Sequence, residues 1–272
     1  MPFLQTGSLT IHYETAGNGM PLILLHGLGN NSRSWKHQLS GLQEHFQVIA
    51  WDTPGYGKSS DPDPEFRTFR ELADILKAFL DGLGLQKIHL LGHSMGSALA
   101  LQFCSMYPEY VEALILAATT LGGRTHPKTN EEKLQNRLRM IEQETPAELA
   151  RKRVPQTLSP YASDEVRQYA ESIMAQVRAS GYRSVSYALY HADQTPLLAD
   201  IKVPTLVICG EDDIITPVKE SVTVQQGIKD SKLVLIPQAG HVCYLEQPEA
   251  FNTHVRTFLQ GVAQSGDGEG GR

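Results

Sequence analysis

The sequence LLGHSMGS occupies residues 90–97, after an apolar run and before a helical pattern. In that context the pattern G-x-S-x-G, centred on Ser94, predicts a turn that presents a nucleophilic serine. Its glycines allow a sharp strand-to-helix turn, and the turn lifts the serine hydroxyl above the sheet. The alternative is an ordinary bend softened by glycine. The presence or absence of partners for Ser94 elsewhere in the chain decides between the two.

Short, continuous apolar runs recur along the chain, which is typical of strands buried on both faces. They alternate with helical patterns at residues 68–83 and 95–107. This alternation predicts an α/β fold with a mostly parallel, twisted sheet flanked by helices. The runs are PLILLHG, QVIAWD, KIHLLG, VEALILAA, VPTLVICG and KLVLIP, and LTIHYETAG predicts a hairpin strand near the N-terminus.

The alternation stops between about Gly122 and Pro196, where helix-type spacing continues without strands. We therefore predict a helical cap over residues 122–196, inserted into a core made of residues 1–121 and 197–260. Residues 261–272 end in SGDGEGGR, which has nothing to bury, and are predicted to be disordered.

Composition limits the classes of function. The chain has 272 residues, 41% of them hydrophobic, and can bury a large core. The net charge is −6 and the charged residues form no long runs of one sign. The sequence therefore does not indicate binding to nucleic acid or to a membrane surface. Cys104, Cys209 and Cys243 lack metal or disulfide spacing and are expected to be free thiols. With no leader or membrane-spanning pattern, we expect a cytoplasmic protein.

A nucleophilic serine needs a base within hydrogen-bond reach and a third group that orients the base. Among ten histidines, His241 is the best candidate base because it follows the strand KLVLIP in the loop QAGHV. Three acids, Glu211, Asp212 and Asp213, follow the strand VPTLVICG. The pattern alone leaves Asp212 and Asp213 as equal candidates for the orienting acid. Thr216 and Pro217 are interpreted as the N-cap and first turn of the next helix.

The stretch LLHGLGN, ending an earlier strand, predicts an anion site for the tetrahedral intermediate. Its glycines, Gly27 and Gly29, leave the backbone bare, so the Leu28 amide can face the same point as the Met95 amide. His26 and His93 flank these positions, and we assign them to shaping the site in preference to proton transfer.

Taken together, these residues resemble the α/β-hydrolase superfamily through HGLGNNSRSW, DTPGYGKSS, GHSMGS, PTLVICGEDDIITP and AGHVCYLEQPEAF. The resemblance implies the α/β-hydrolase fold, a catalytic triad of Ser94, His241 and an acid, no metal and no cofactor. The superfamily pattern G-x-x-D-x-x-x-P aligns with Gly210 and Pro217, which implies Asp213 as the triad acid and leaves Asp212 as the fallback. Asp52 is interpreted as a turn aspartate that does no chemistry.

Within the superfamily, the sequence resembles the 3-oxoadipate enol-lactonase group and small carboxylesterases. It departs from the commonest pattern at Ser97, because a second glycine often follows the G-x-S-x-G turn at this position. Hydrolases that cleave carbon–carbon bonds rank second, because they typically carry tryptophan where this chain has Val242.

We therefore predict a serine hydrolase that cleaves a small-molecule ester or lactone, with a thioesterase as a further alternative. A rival of another class is a small-molecule receptor with a vestigial triad. Apolar cap residues are expected to wall an acyl pocket, and a dicarboxylate-derived lactone would require a cap arginine that faces the serine. The candidates are Leu158, Met174 and Leu189 for the wall, and Arg124, Arg137 and Arg139 for the carboxylate.

Overall fold

The computed structural model describes residues 2–267, in which eight strands form one sheet with the order β1-β2-β4-β3-β5-β6-β7-β8. Strands β1, β2 and β4 pair antiparallel, and the remaining pairs are parallel. The strands are β1 Phe3–Thr6, β2 Leu9–Ala16, β3 Pro21–Leu25, β4 Gln47–Trp51, β5 Ile88–His93, β6 Val111–Ala117, β7 Thr205–Gly210 and β8 Lys232–Ile236.

Helices cover both faces of the sheet, so successive residues of the central strands are buried although their side chains point to opposite faces. Helices α1 and α10 pack on each other, and α2 packs on α3. The predicted α/β architecture is confirmed. The core helices are α1 Lys36–Leu42, α2 Phe69–Gly82, α3 Met95–Met106, α8 Val218–Gly227, α9 Cys243–Glu246 and α10 Pro248–Asp267.

Four α-helices lie between β6 and β7, in the segment predicted to be a cap. Two of them begin at side-chain caps, and α5 has a capping box formed by Thr145 and Glu148. Helix α4 packs on α7, and α5 packs on α6. Their bounds are α4 Pro127–Gln143, α5 Pro146–Thr157, α6 Asp164–Met174 and α7 Ala179–His191.

Arg178 links the start of α7 to the loop after β4 through hydrogen bonds. Its guanidinium donates to the Asp61 carboxylate at 2.8 Å and to the carbonyl oxygens of Gly57 and Ser59. These charge-assisted bonds tie the α7 end of the four-helix segment to the core, next to the carboxyl edge of the parallel strands.

The predicted boundary of the C-terminal tail is wrong. Helix α10 continues through residue 261 to Asp267. Its amphipathic pattern docks one face on the core through Phe251, Val255 and Leu259, and Val262 is partly buried against the same core. The rest of the predicted tail, residues 268–272, lies outside the described residues. Across residues 2–267, no helix combines the length and apolar character that a membrane span requires.

The turn between β5 and α3 depends on two close backbone approaches. A Cβ on Gly92 would lie 2.2 Å from the carbonyl oxygen of Gly96, and a Cβ on Gly96 would lie 2.1 Å from the carbonyl oxygen of Leu25. Both distances are far inside van der Waals contact, and the neighbouring atoms belong to the backbone, which cannot rotate away. Only glycine fits at the two positions that flank the turn.

We expect Gly96→Ala to lower the free energy of unfolding by about 3 kcal/mol or more, because the new methyl must displace the end of β3. Gly261→Ala is the matched control. Apart from its chain neighbours and the backbone of its own helix, no atom of the described residues lies within 4 Å of the added methyl, and alanine has the higher helix propensity by about 0.5–1 kcal/mol. Urea unfolding followed by circular dichroism measures both, and equal midpoints for the two variants would contradict the packing argument.

Candidate active site

Ser94 occupies the turn between β5 and α3 with φ 52° and ψ −113°. A non-glycine residue rarely adopts a positive φ, so the turn is strained. The amide of Ser94 donates to the carbonyl oxygen of Ala117 at 2.8 Å, which holds the turn against the end of β6. The serine is thereby fixed at the carboxyl edge of the parallel strands, and it is only 9% exposed.

Ser97, the departure from the commonest pattern, has a local function in this turn. Its hydroxyl donates to the carbonyl oxygen of Ser94, and its amide donates to the same oxygen at 3.0 Å. A glycine would supply only the amide bond. Ser97 therefore adds a second hydrogen bond to the first turn of α3, directly behind the serine.

The structure brings Ser94, His241 and Asp213 together. His241 Nε2 lies 2.9 Å from Ser94 Oγ, and His241 Nδ1 lies 2.8 Å from Asp213 Oδ2. Asp212, the fallback acid, is half-buried, and its amide donates to the carbonyl oxygen of Ala239. The three groups come from the loops after β5, β7 and β8, whose carboxyl ends meet at one edge.

Asp213 is held as a carboxylate. Burial would raise its pKa, but the hydrogen bonds from His241 and Thr216 outweigh burial and lower the pKa below its usual value. Its Oδ1 accepts the amides of Ile215 at 2.8 Å and Thr216 at 3.0 Å. An ionised Asp213 selects the His241 tautomer with a proton on Nδ1, so Nε2 is free to accept the Ser94 proton.

The sequence interpretation of Thr216 as a helix N-cap is wrong. Helix α8 begins at Val218 with Pro217 at the N-cap position. The Thr216 hydroxyl instead lies 2.9 Å from Asp213 Oδ2 and 3.0 Å from the carbonyl oxygen of Ala118. With Pro217 at the N-cap position, the Thr216 hydroxyl supports the acid instead of capping α8.

The predicted oxyanion donors lie close to the serine. Met95 is the first residue of α3, so its amide has no acceptor within the helix, and Leu28 lines the same cavity as the serine. His26 holds the Leu28 loop, because its Nδ1 donates to the carbonyl of Gly27 at 2.9 Å and its Nε2 accepts the Thr53 amide at 3.1 Å. That the two amides bind an oxyanion stays a prediction.

His93 holds the loop that carries His241. Its Nε2 donates to the carbonyl oxygen of His241 at 2.7 Å, and its ring packs against Trp35 and Tyr244. Burial and, to a smaller extent, the nearby His241 lower the pKa of His93 to about 3. The ring is therefore neutral at neutral pH. Gly29, the other predicted shaping residue, has φ +82° and lies against Met174.

Asp52 does more than occupy a turn. Its carboxylate is buried, lies 2.7 Å from His12 Nδ1, and accepts the amides of Ser32 and Lys58. Burial would raise its pKa, but these hydrogen bonds lower it overall. Asp52 thus joins the loops after β3 and β4, a role that the sequence could not reveal because His12 and Ser32 are distant in the chain.

A cavity of about 370 Å³ opens over Ser94 and His241. Helices α4–α7 contribute one side of it. Met174, Leu189 and Arg137 line the cavity as the sequence suggested, whereas Leu158, Arg124 and Arg139 are not among its lining residues. Across residues 2–267, no group of three or more His, Cys, Asp or Glu side chains is arranged to hold a metal ion.

A serine on a strained strand-to-helix turn, with histidine and aspartate from later loops of the same sheet, defines the architecture of an α/β hydrolase. Residues 20–178 match the family described as α/β hydrolase fold, and residues 185–268 match one described as TAP-like protein. The chain belongs to the α/β hydrolase fold family.

Named relatives confirm that the chain is an enzyme of the hydrolase class. It is 29% identical to 2-hydroxy-6-oxo-6-(2'-aminophenyl)hexa-2,4-dienoic acid hydrolase of Metapseudomonas resinovorans, across 94% of this chain and 90% of the relative. It is also 29% identical to 3-oxoadipate enol-lactonase 2 of Acinetobacter baylyi, across 94% and 96%. A solved structure of a thermophilic esterase from Thermogutta terrifontis, malate bound, superposes with a TM-score of 0.89 at 29% identity, covering 96% of this chain and 98% of the esterase.

We expect the buried, neutral His93 to make folding sensitive to acid. The unfolded state binds a proton below pH 6.5 and the folded state only near pH 3, so stability falls as pH falls through that window. His93→Gln keeps an N–H donor but does not titrate. Between pH 7.5 and 5 it should lose about 2 kcal/mol less unfolding free energy than the wild type. Parallel urea-unfolding profiles for the two proteins would contradict this.

Proposed function

We propose that the chain hydrolyses a carboxylic ester or lactone of a small molecule through an acyl-enzyme intermediate on Ser94. The observation that carries the proposal is the pair of short contacts of His241, 2.9 Å to Ser94 Oγ and 2.8 Å to the Asp213 carboxylate. Relatives named as an enol-lactonase and an esterase support this substrate class.

In acylation, Ser94 Oγ attacks the carbonyl carbon while His241 Nε2 takes the hydroxyl proton. The carbonyl oxygen becomes an anion and is stabilised by the amides of Leu28 and Met95; one such donor contributes about 3 kcal/mol to lowering the barrier. When the tetrahedral intermediate collapses, the bond to the leaving oxygen breaks and His241 returns its proton to that oxygen. An alcohol leaves, or, for a lactone, the opened hydroxyl stays on the acyl chain.

Deacylation repeats these steps with water. His241 Nε2 takes a proton from a water molecule, the resulting hydroxide attacks the Ser94 ester, and His241 then protonates Ser94 Oγ. Asp213 stays ionised throughout and stabilises the imidazolium that forms twice in each cycle. Each cycle consumes one water and one ester and needs no other reactant.

A second candidate is hydrolysis of a carbon–carbon bond, which one relative's name supports. Val242, 3% exposed, follows the histidine where such hydrolases typically carry tryptophan, and it favours the ester reaction. Decay of a 2-hydroxy-6-oxo-dienoate chromophore measures the carbon–carbon reaction directly. A larger kcat/KM for that substrate than for any ester or lactone would replace the proposed function.

We expect Ser94→Ala to abolish the burst of p-nitrophenol from a short p-nitrophenyl ester and to lower kcat by about 10⁵-fold or more. The variant should remain folded, because alanine removes only the hydroxyl and leaves the backbone hydrogen bond from Ser94 to Ala117 in place. Circular dichroism checks the fold. The wild type should release many equivalents of product, whereas a receptor with a vestigial triad would stop after one. An unchanged rate in the variant would remove Ser94 from the mechanism.

We expect Asp213→Asn to lower kcat about 10³- to 10⁴-fold with little change in KM, since the amide no longer selects the His241 tautomer. Asp212→Asn is the matched control because it makes the same chemical change one residue earlier. Its kcat should stay within about threefold of the wild type. Steady-state kinetics on one ester measures both, and the reverse order of effects would assign the orienting role to Asp212.

A further inference from the structure

One face of α4 lines the cavity that contains Ser94. Asn130, Lys133, Arg137 and Met140 follow one another at intervals of three or four residues, which is the spacing of a single helical face. Arg153 reaches the same cavity from α5. The cavity of a chain with a net charge of −6 therefore contains three cationic side chains.

Lys133 has an acidic counterpart in the cavity. Glu220 lines the same space, and its carboxylate lies 3.5 Å from His126. Burial raises the pKa of Glu220, and the positive charge of Lys133 opposes that rise, so the two charges lie close enough to interact. This end of the cavity is close to balanced in charge.

Arg137 has no such counterpart. Within residues 2–267 it forms no ion pair or hydrogen bond, and its charged neighbour is a second cation, Arg153. Tyr182 lies nearby, but burial raises the pKa of its phenol, which is therefore uncharged at neutral pH. Glu144, whose charge acts on Tyr182, is paired with Lys152 at 2.6 Å.

Arg153 donates to the neutral side-chain oxygen of Gln156 at 3.0 Å and, like Arg137, forms no ion pair within residues 2–267. Two guanidinium groups without a carboxylate partner in one cavity are unfavourable unless an anion joins them. Burial lowers the pKa of Arg137, yet a guanidinium remains protonated at neutral pH, so the positive charge persists. By contrast, Arg139 on the same helix is exposed and donates to Asn136. The unbalanced charge is specific to the cavity face of α4.

We propose that the substrate carries a free carboxylate, which Arg137 and Arg153 bind while Ser94 attacks an ester or lactone elsewhere in the same molecule. The planar fork of an arginine matches the two oxygens of a carboxylate. Met140, Met174 and Leu189 line the same cavity and suit a hydrocarbon chain between the two groups. The substrate class is thus half-esters or lactones of dicarboxylic acids, an inference that rests on the proposed function.

The test compares p-nitrophenyl monoesters of adipic, pimelic and suberic acid with the mixed diesters in which the free carboxyl is methylated. Wild-type kcat/KM should favour the free acid over the diester at least tenfold for one or more chain lengths. Arg137→Met should reduce that ratio 10- to 100-fold, and Arg153→Met should reduce it less. Arg139→Met, the matched control, should leave both kcat/KM values unchanged.

The ratio cancels any general loss of folded protein, and Arg153→Met gives a second measurement if Arg137→Met folds poorly. A wild-type ratio near one for all three acids, or an unchanged ratio in Arg137→Met, would overturn the carboxylate proposal. If Ser94→Ala abolishes hydrolysis of both ester types in that case, the proposed function survives. Hydrolysis that persists without Ser94 would instead overturn the proposed function.

Discussion

The backbone turn at Ser94 is the constraint on which the site depends. A positive φ at a serine is unfavourable by about 1–3 kcal/mol, and it persists only where the surroundings allow no other conformation. Here Gly92 and Gly96 lie in backbone contact with their neighbours, and the Ser94 amide is bonded to the end of β6. The hydroxyl therefore has one position relative to the sheet, and every partner is placed by the same sheet.

The partners meet because parallel strands end at one edge. Asp213 follows β7 and His241 follows β8, so the order of strands places both acid and base beside the turn after β5. The supporting contacts come from still other segments: Thr216 on the acid and His93 on the carbonyl of His241. A long-range arrangement of this kind needs the core to fold before the site exists.

Much of this was predictable from sequence, and the failures have physical reasons. Ser94 was predicted from the G-x-S-x-G turn, and His241 from its place in the loop after an apolar strand. Asp212 and Asp213 are equivalent by pattern, and only the family resemblance separated them. Thr216 was wrongly interpreted as a cap because capping and inward hydrogen bonding use the same hydroxyl. The end of α10 was misplaced because glycines near a terminus suggest disorder, although Val262 still packs against the core one residue beyond the predicted boundary.

The charged side chains of the cavity come from different elements of the fold than Ser94, His241 and Asp213. The sequence offered three cap arginines as equals, and only the fold of α4 turns Arg137 into the cavity and leaves Arg139 in solvent. The serine, histidine and aspartate lie in loops directly after strands of the sheet, while most charged groups that line the cavity belong to the helices between β6 and β7. Relatives named for a lactone and for a dienoic acid each match more than nine-tenths of this chain. Under the proposed function, the loops after the strands would carry the reaction and the helices between β6 and β7 would contact the substrate, and the different names of these relatives are consistent with that division.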